Sequence, residues 1–238
     1  MDQVLERSIE EATLLAEAGF PALMVENFGD APFHADESDP ETIAAMALAV
    51  SGVVEKTALP VGVNVLRNDA LSALAVADVA GAQFIRVNVL TGVMYTDQGP
   101  IVGRADEIAR RRAFLGSEIE IWADVMVKHA TPPPGLTVEQ AVEDTVVRGL
   151  ADAVIVSGTR TGVEPDPDEA AKARSALPKG VRLVIGSGAA VDNLGLLVDV
   201  ADTVIVGSSL KTDGNVSDRL DPERVAAFIE ASRHHGLV

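Results

Sequence analysis

The chain has 238 residues, 47% of them apolar, enough for a sizeable core in one large α/β domain. It carries 36 acidic against 19 basic residues, a net charge of −17, which excludes the basic patch that nucleic-acid binding demands. There is no cysteine, so disulfides, thiolate metal sites and a cysteine nucleophile are excluded together. Lysine is scarce beside the acid excess (Lys56, Lys128, Lys172, Lys179 and Lys211), a balance that points to a salt-rich, halophilic cytosol where screening tolerates dense negative charge. The longest apolar run, residues 43–54, falls short of the roughly 18–20 residues of a membrane span. No charged segment followed by an apolar run opens the chain. A cytoplasmic protein without integral membrane association is expected.

In chain order, an amphipathic helix comes first, with Val4, Leu5, Ile9, Ala12 and Leu15 on its apolar side. Short apolar, β-branched runs then recur at Ala22–Glu26, Val61–Val65, Gln83–Asn88, Ile119–Val125, Ala153–Ser157, Arg182–Gly186 and Thr203–Gly207. Stretches of helical period such as Val138–Arg148 lie between them. Asp39-Pro40-Glu41 and Asp221-Pro222-Glu223 each place an N-cap before a first-turn proline. Thr137 and Gln140 have the spacing of a capping box, and Asp69 suits a cap for a helix from Ala70. Ala18-Gly19, Ala80-Gly81 and Arg148-Gly149 read as tight turns from helix into strand.

Near-continuous apolar strands alternating with helices predict a parallel sheet covered on both faces. No Gly-x-Gly-x-x-Gly follows an early strand, so the dinucleotide fold lacks its fingerprint. Two glycine-rich turns instead follow the last two strands, Gly186-Ser187-Gly188 and Gly207-Ser208-Ser209, where (β/α) barrels commonly bind phosphate. The expected fold is a single (β/α)8 TIM-type barrel domain over residues 1–238. Its first strand is absent from this chain, because seven runs are found and a helix precedes them all. Either the start is misplaced or the barrel has an open seam, and a seam leaves edges that a partner copy or the C-terminal segment would cover. A homo-oligomer is therefore expected.

The strand ends carry the chemistry in such a barrel. They present Glu26, Asn27 and Asp30, then Asn64, Arg67 and Asp69, then Arg86, Asn88 and Thr91. Asp124, Lys128 and His129 follow, and after them Ser157, Thr159, Arg160 and Thr161. Gly186 and Gly188 allow backbone N–H groups close to an anion, a helix starting near Val191–Asp192 would aim its positive end there, and Ser187, Gly207, Ser208, Ser209 and Lys211 add donors. The plainer alternative is that these glycines only make tight turns. Lys128 suits a Schiff-base nucleophile, a fixed cation for an anionic substrate, or merely a salt bridge to Asp124. His129 suits a general acid or base. Glu26, Asp30, Asp69 and Asp124 form a carboxylate set suited to proton abstraction or, with a substrate phosphate, to Mg²⁺, although Asp69 also suits a helix cap and Asp30 a turn. Arg67 and Arg86 suit bidentate anion pairing or ion pairs inside the barrel mouth. Asn27, Asn64, Asn88, Ser157 and Thr161 complete the expected substrate contacts. Zinc lacks a His-x-x-x-His pair.

The segments VENFGDAPF (25–33), VGVNVLRND (61–69), FIRVNVLTG (84–92), ADVMVKHA (123–130), IVSGTRTG (155–162), IGSGAAVDN (185–193) and IVGSSLKTDG (205–214) resemble the BtpA/SgcQ family over about residues 5–232. The resemblance implies a ribulose-phosphate-binding-type barrel. It links one branch to photosystem I biogenesis in cyanobacteria and another to sugar utilisation. Three functional readings follow: an isomerase, aldolase-like lyase or hydrolase acting on a phosphorylated small metabolite, a non-catalytic biogenesis factor, or a ligand-sensing regulator.

Overall fold

The computed structural model describes residues 1–158, 160–164 and 166–237. Thr159, one of the strand-end residues, lies outside them. Helix α1 (Asp2–Ala18) ends on Gly19 in the left-handed region at φ 106°. It is followed by β1 (Leu23–Glu26), α2 (Pro40–Thr57), β2 (Val61–Asn64), α3 (Ala70–Ala80) and β3 (Phe84–Val87). Next come β4 (Val93–Thr96), β5 (Gly99–Val102), α4 (Ala105–Leu115), β6 (Glu120–Val125) and β7 (Ala130–Thr131). The chain closes with α5 (Val138–Glu143), β8 (Ala153–Val156), α6 (Pro167–Ala176), β9 (Arg182–Ile185), α7 (Leu194–Leu197), β10 (Thr203–Val204) and α8 (Pro222–His234).

All seven expected strands form one sheet, in the order β1-β2-β3-β6-β8-β9-β10. Every pairing recorded within it among the described residues is parallel. The order follows the chain without reversal. A doubly wound sheet reverses its order at a switch point, so this topology is that of a (β/α) barrel. The order begins at β1 and ends at β10, the strands expected to flank the seam.

The chain divides into two compact units, residues 1–87 with 106–121 and residues 88–105 with 122–238. In the first, α2 buries Met46, Ala49, Val50 and Val53, while β2 is buried along its whole length. Gly62 on β2 makes room for its neighbour: a Cβ there would lie 2.0 Å from the Phe84 ring. Asp69 caps α3 through Oδ1, which accepts from Ser72 N at 3.1 Å, and its Oδ2 accepts from Ser38 N at 2.9 Å. Asp39 precedes α2 without a side-chain cap bond and instead lies 3.3 Å from His34 Nε2.

In the second unit β6, β8 and β9 are buried, and Trp122 is covered by the Arg182 guanidinium 5.1 Å from its ring centre. The Thr137–Gln140 capping box forms as its spacing predicts. Asp221 caps α8 by accepting from Glu223 N and Arg224 N. Two features depart from the expected pattern. The stretch from Thr91 to Gln98, which falls between the expected strands Gln83–Asn88 and Ile119–Val125, contains β4, which pairs antiparallel with β5 and β7. This small sheet packs Met94 and Ile101 against Val89 and Val127. The helix expected over Val138–Arg148 widens into a π-helical turn at Asp144–Arg148. Gly149 is not a left-handed cap (φ −82°). It is a point of close approach, since a Cβ would stand 2.6 Å from Thr145 O and 2.7 Å from Thr91 Cγ2.

Candidate functional site

The strand-end side chains of the first unit bind one another. Glu26 Oε1 accepts from Asn64 Nδ2 at 3.1 Å and pairs with Arg86 Nη1 at 3.3 Å. The Arg86 side chain is 2% exposed and that of Glu26 22%, so this is a largely desolvated ion pair. Asn27 brackets the next strand end, its Oδ1 accepting from Leu66 N at 2.7 Å. Arg67 is buried, and its backbone N–H donates to His34 O. Of the two roles open to Arg86, the ion pair inside the strand ends is the one the geometry fills.

In the second unit a row of buried polar groups crosses the ends of β6, β8 and β9. Asp124, 5% exposed, accepts from Asn88 Nδ2 at 3.0 Å and from Ser157 Oγ at 3.1 Å. Gly158 N donates to Ser187 Oγ at 3.2 Å, and Ser187 Oγ donates to Val163 O at 3.1 Å. The carboxylate is thus held in one orientation by two donors, the arrangement a positioned acid or base needs.

The two glycine-rich turns follow β9 and β10, which are adjacent and parallel, so both lie at the same end of the sheet. Ser209 Oγ donates to Ala189 O at 2.7 Å and ties them together. Among the described residues the backbone amides of Ser187, Gly188, Ala189, Gly207, Ser208 and Ser209 have no recorded acceptor. Ser187 and Ala189 are buried, where such groups rarely go unpaired, whereas Gly188, Ser208 and Ser209 are half-buried and Gly207 is exposed. Helix α7 supplies no dipole for an anion. It is four residues long and starts at Leu194, after Ala190 N has bonded Asn193 Oδ1.

The segment after β8 roofs the first turn. A Cβ on Gly188 would lie 2.2 Å from Glu164 N, and one on Gly158 would lie 2.1 Å from Val163 O. Glycine at both positions is therefore required by backbone approach and not merely by a tight turn. The roof is fastened at two places. His129 Nε2 accepts from Thr161 N at 3.2 Å and lies 3.0 Å from Thr161 Oγ1. Asn193 Nδ2 donates to Glu164 Oε2 at 2.6 Å and to Gly188 O at 2.8 Å. Accepting at Nε2 places the neutral ring's proton on Nδ1. Asn193 escaped the sequence analysis because it reads as an ordinary helix-start residue, although it stands inside the IGSGAAVDN segment. Lys128 is half-buried in the turn between β6 and β7, and Lys211 follows Leu210 with its backbone N–H donating to Ser208 O. Ser209 also lines a mainly apolar cavity of about 300 Å³ with Val191, Leu210, Arg224 and Phe228. No group of three His, Cys, Asp or Glu side chains suited to a metal stands among the described residues, and no helix among them is long and apolar enough to cross a membrane.

These features define a (β/α)8-type barrel chain with a polar strand-end site, and known proteins agree on the fold. The N-(5'-phosphoribosyl)anthranilate isomerase of Pyrococcus furiosus superposes with a TM-score of 0.61 at 15% identity, covering 96% of this chain and 95% of that one. The orotidine 5'-phosphate decarboxylase of Pyrococcus horikoshii gives 0.61 at 19% identity, over 96% and 94%. The BtpA family model matches residues 1–234, and the chain belongs to the BtpA family. It is 53% identical to the photosystem I biogenesis protein BtpA of Synechocystis over 96% of this chain and 79% of that protein. It is 26% identical to the putative sgc region protein SgcQ of Escherichia coli over 98% and 86%.

Proposed function

We propose that this chain binds a phosphorylated small metabolite, such as a sugar phosphate, and acts on it as an isomerase, an aldolase-like lyase or a hydrolase. The observation that carries the reading is the set of six backbone amides without recorded acceptors at two turns joined by the Ser209–Ala189 bond. A phosphoryl group offers the acceptors those donors lack. The fold neighbours include enzymes named for phosphorylated compounds, which supports the same ligand class. Asp124 is the acid/base residue, oriented by Asn88 and Ser157. Lys128 and Lys211 supply positive charge to an anionic ligand, and His129 holds Thr161 over the turn while serving as a second proton-transfer group. Asp124 would be the residue to hold Mg²⁺ where a ligand phosphate requires it, and the ion would supply charge neutralisation there. A homo-oligomer covers the edges of β1 and β10.

Thermal denaturation with inorganic phosphate and a panel of sugar phosphates tests this reading. A saturable rise in midpoint with at least one phosphorylated compound is expected. Indifference to every one of them would remove the proposal.

A second reading rests on the 53% identity to a protein named for photosystem I biogenesis: a non-catalytic assembly factor. That reading expects a stable protein partner and full function in an Asp124→Asn variant. The metabolite reading expects loss of turnover with ligand binding retained.

A further inference from the structure

The second unit holds another cavity, of about 40 Å³, lined by the polar residues Asn88, Thr91, Asp124, Asp144 and Thr145. Asn88 is 2% exposed, and its Oδ1 has no hydrogen-bond partner among the described residues although Nδ2 is engaged by Asp124. A buried amide oxygen left without a donor is costly, so the cavity calls for a hydrogen-bond donor. The wall is purpose-shaped. The π-helical turn presents Asp144 and Thr145, and Gly149 N closes it onto Asp144 O at 2.8 Å. Such turns are frequent at functional sites. Thr145 Oγ1 lies 3.2 Å from Thr91 Oγ1, a meeting that a Cβ at Gly149 would block.

We propose that this cavity is a subsite for a primary ammonium group. The lining side chains bring the buried Asp124 carboxylate, an amide oxygen and two hydroxyls, with the exposed Asp144 carboxylate at the rim, 3.7 Å from Arg148 Nε. An –NH₃⁺ head offers three N–H donors to those acceptors, whereas a hydroxyl offers one. The cavity is small, about 40 Å³, which suits a compact head group such as ammonium or methylammonium. Val89, Val125, Leu136 and Ala141 suit the first carbon attached to the nitrogen. The ligand class is therefore a small primary amine. The inference does not need the phosphate turns, but it shares Asp124 and Asn88 with the acid/base residue and its partner in the proposed function.

The test is titration of the whole protein with ammonium, methylammonium, tetramethylammonium, sodium and methanol at constant ionic strength, read by calorimetry and thermal denaturation. Ammonium and methylammonium give saturable binding, and the other three do not. Thr145→Val, nearly isosteric, and Asn88→Leu each weaken methylammonium binding about ten-fold, the worth of one charge-assisted hydrogen bond. If Asn88→Leu does not fold, Thr145→Val and Thr91→Val carry the test. Equal stabilisation by tetramethylammonium, sodium or methanol overturns the proposal. So does an absence of saturable methylammonium binding, or binding unchanged in the folded variants. A phosphate response that persists in any of these outcomes shows that only this subsite has failed.

Discussion

Ser209 and Ala189 join the two glycine-rich turns: the serine hydroxyl donates to the alanine carbonyl at 2.7 Å. This bond makes one donor surface from two chain segments. Ser209→Ala should cost about 1 kcal/mol of stability, the net worth of a neutral hydrogen bond. Phosphate affinity should fall about five-fold as the turns lose register. Urea denaturation and calorimetric phosphate titration measure the two effects.

Gly188 has φ 75°, and a Cβ there would meet Glu164 N at 2.2 Å. Gly188→Ala combines left-handed strain with a backbone clash, so a loss of about 2 kcal/mol or more is expected. The segment 160–164 must lift, and limited proteolysis at Arg160 should speed up in the variant. An alanine variant cleaved at the parental rate would mean that the segment does not rest on this turn.

The Thr161 amide donates to His129 Nε2 at 3.2 Å. An imidazolium has no lone pair to accept that bond. The fastening therefore belongs to the neutral ring. Hydrogen exchange at Thr161 should be faster in His129→Ala than in the parental protein at the same pH.

Glu26 and Arg86 form a largely buried pair in the first unit. Glu26→Gln leaves the guanidinium without this counter-charge and should destabilise the fold by about 2–3 kcal/mol. Replacing both, as Glu26→Gln with Arg86→Met, should recover part of that loss. A Glu26→Gln variant of parental stability but without turnover would instead return Glu26 to the catalytic role open to it on sequence grounds.

A net charge of −17 sets up self-repulsion that salt screens. The unfolding midpoint should climb as KCl is raised from low to molar concentration. A flat midpoint would argue against adaptation to a salt-rich cytosol.

The strands were legible because burial on both faces writes itself as unbroken Val, Ile and Leu. Each of the seven appears within its expected run, though β10 is reduced to Thr203–Val204. The caps at Asp69, Thr137 and Asp221 were legible because capping uses few residue types at fixed spacing. The hairpin of β4 and β5 was not, since Gly99 and Pro100 resemble a loop, and only Gly99 at φ 98° turns them into a tight reversal. The π-helical turn has no compositional mark. It exists because Gly149 lets Thr145 reach Thr91, a long-range contact that periodicity cannot carry. The roof of residues 163–164 over Gly188 was hidden for the same reason. Glycine in a sequence says that space is needed but not what fills it.

The most direct measurement is amide chemical-shift mapping on ¹⁵N-labelled protein during titration with inorganic phosphate and a sugar phosphate. Saturable shifts concentrated at Ser187, Gly188, Ala189, Gly207, Ser208 and Ser209 are the predicted result. Shifts scattered over surface residues, with those six amides unmoved at saturating ligand, would contradict it.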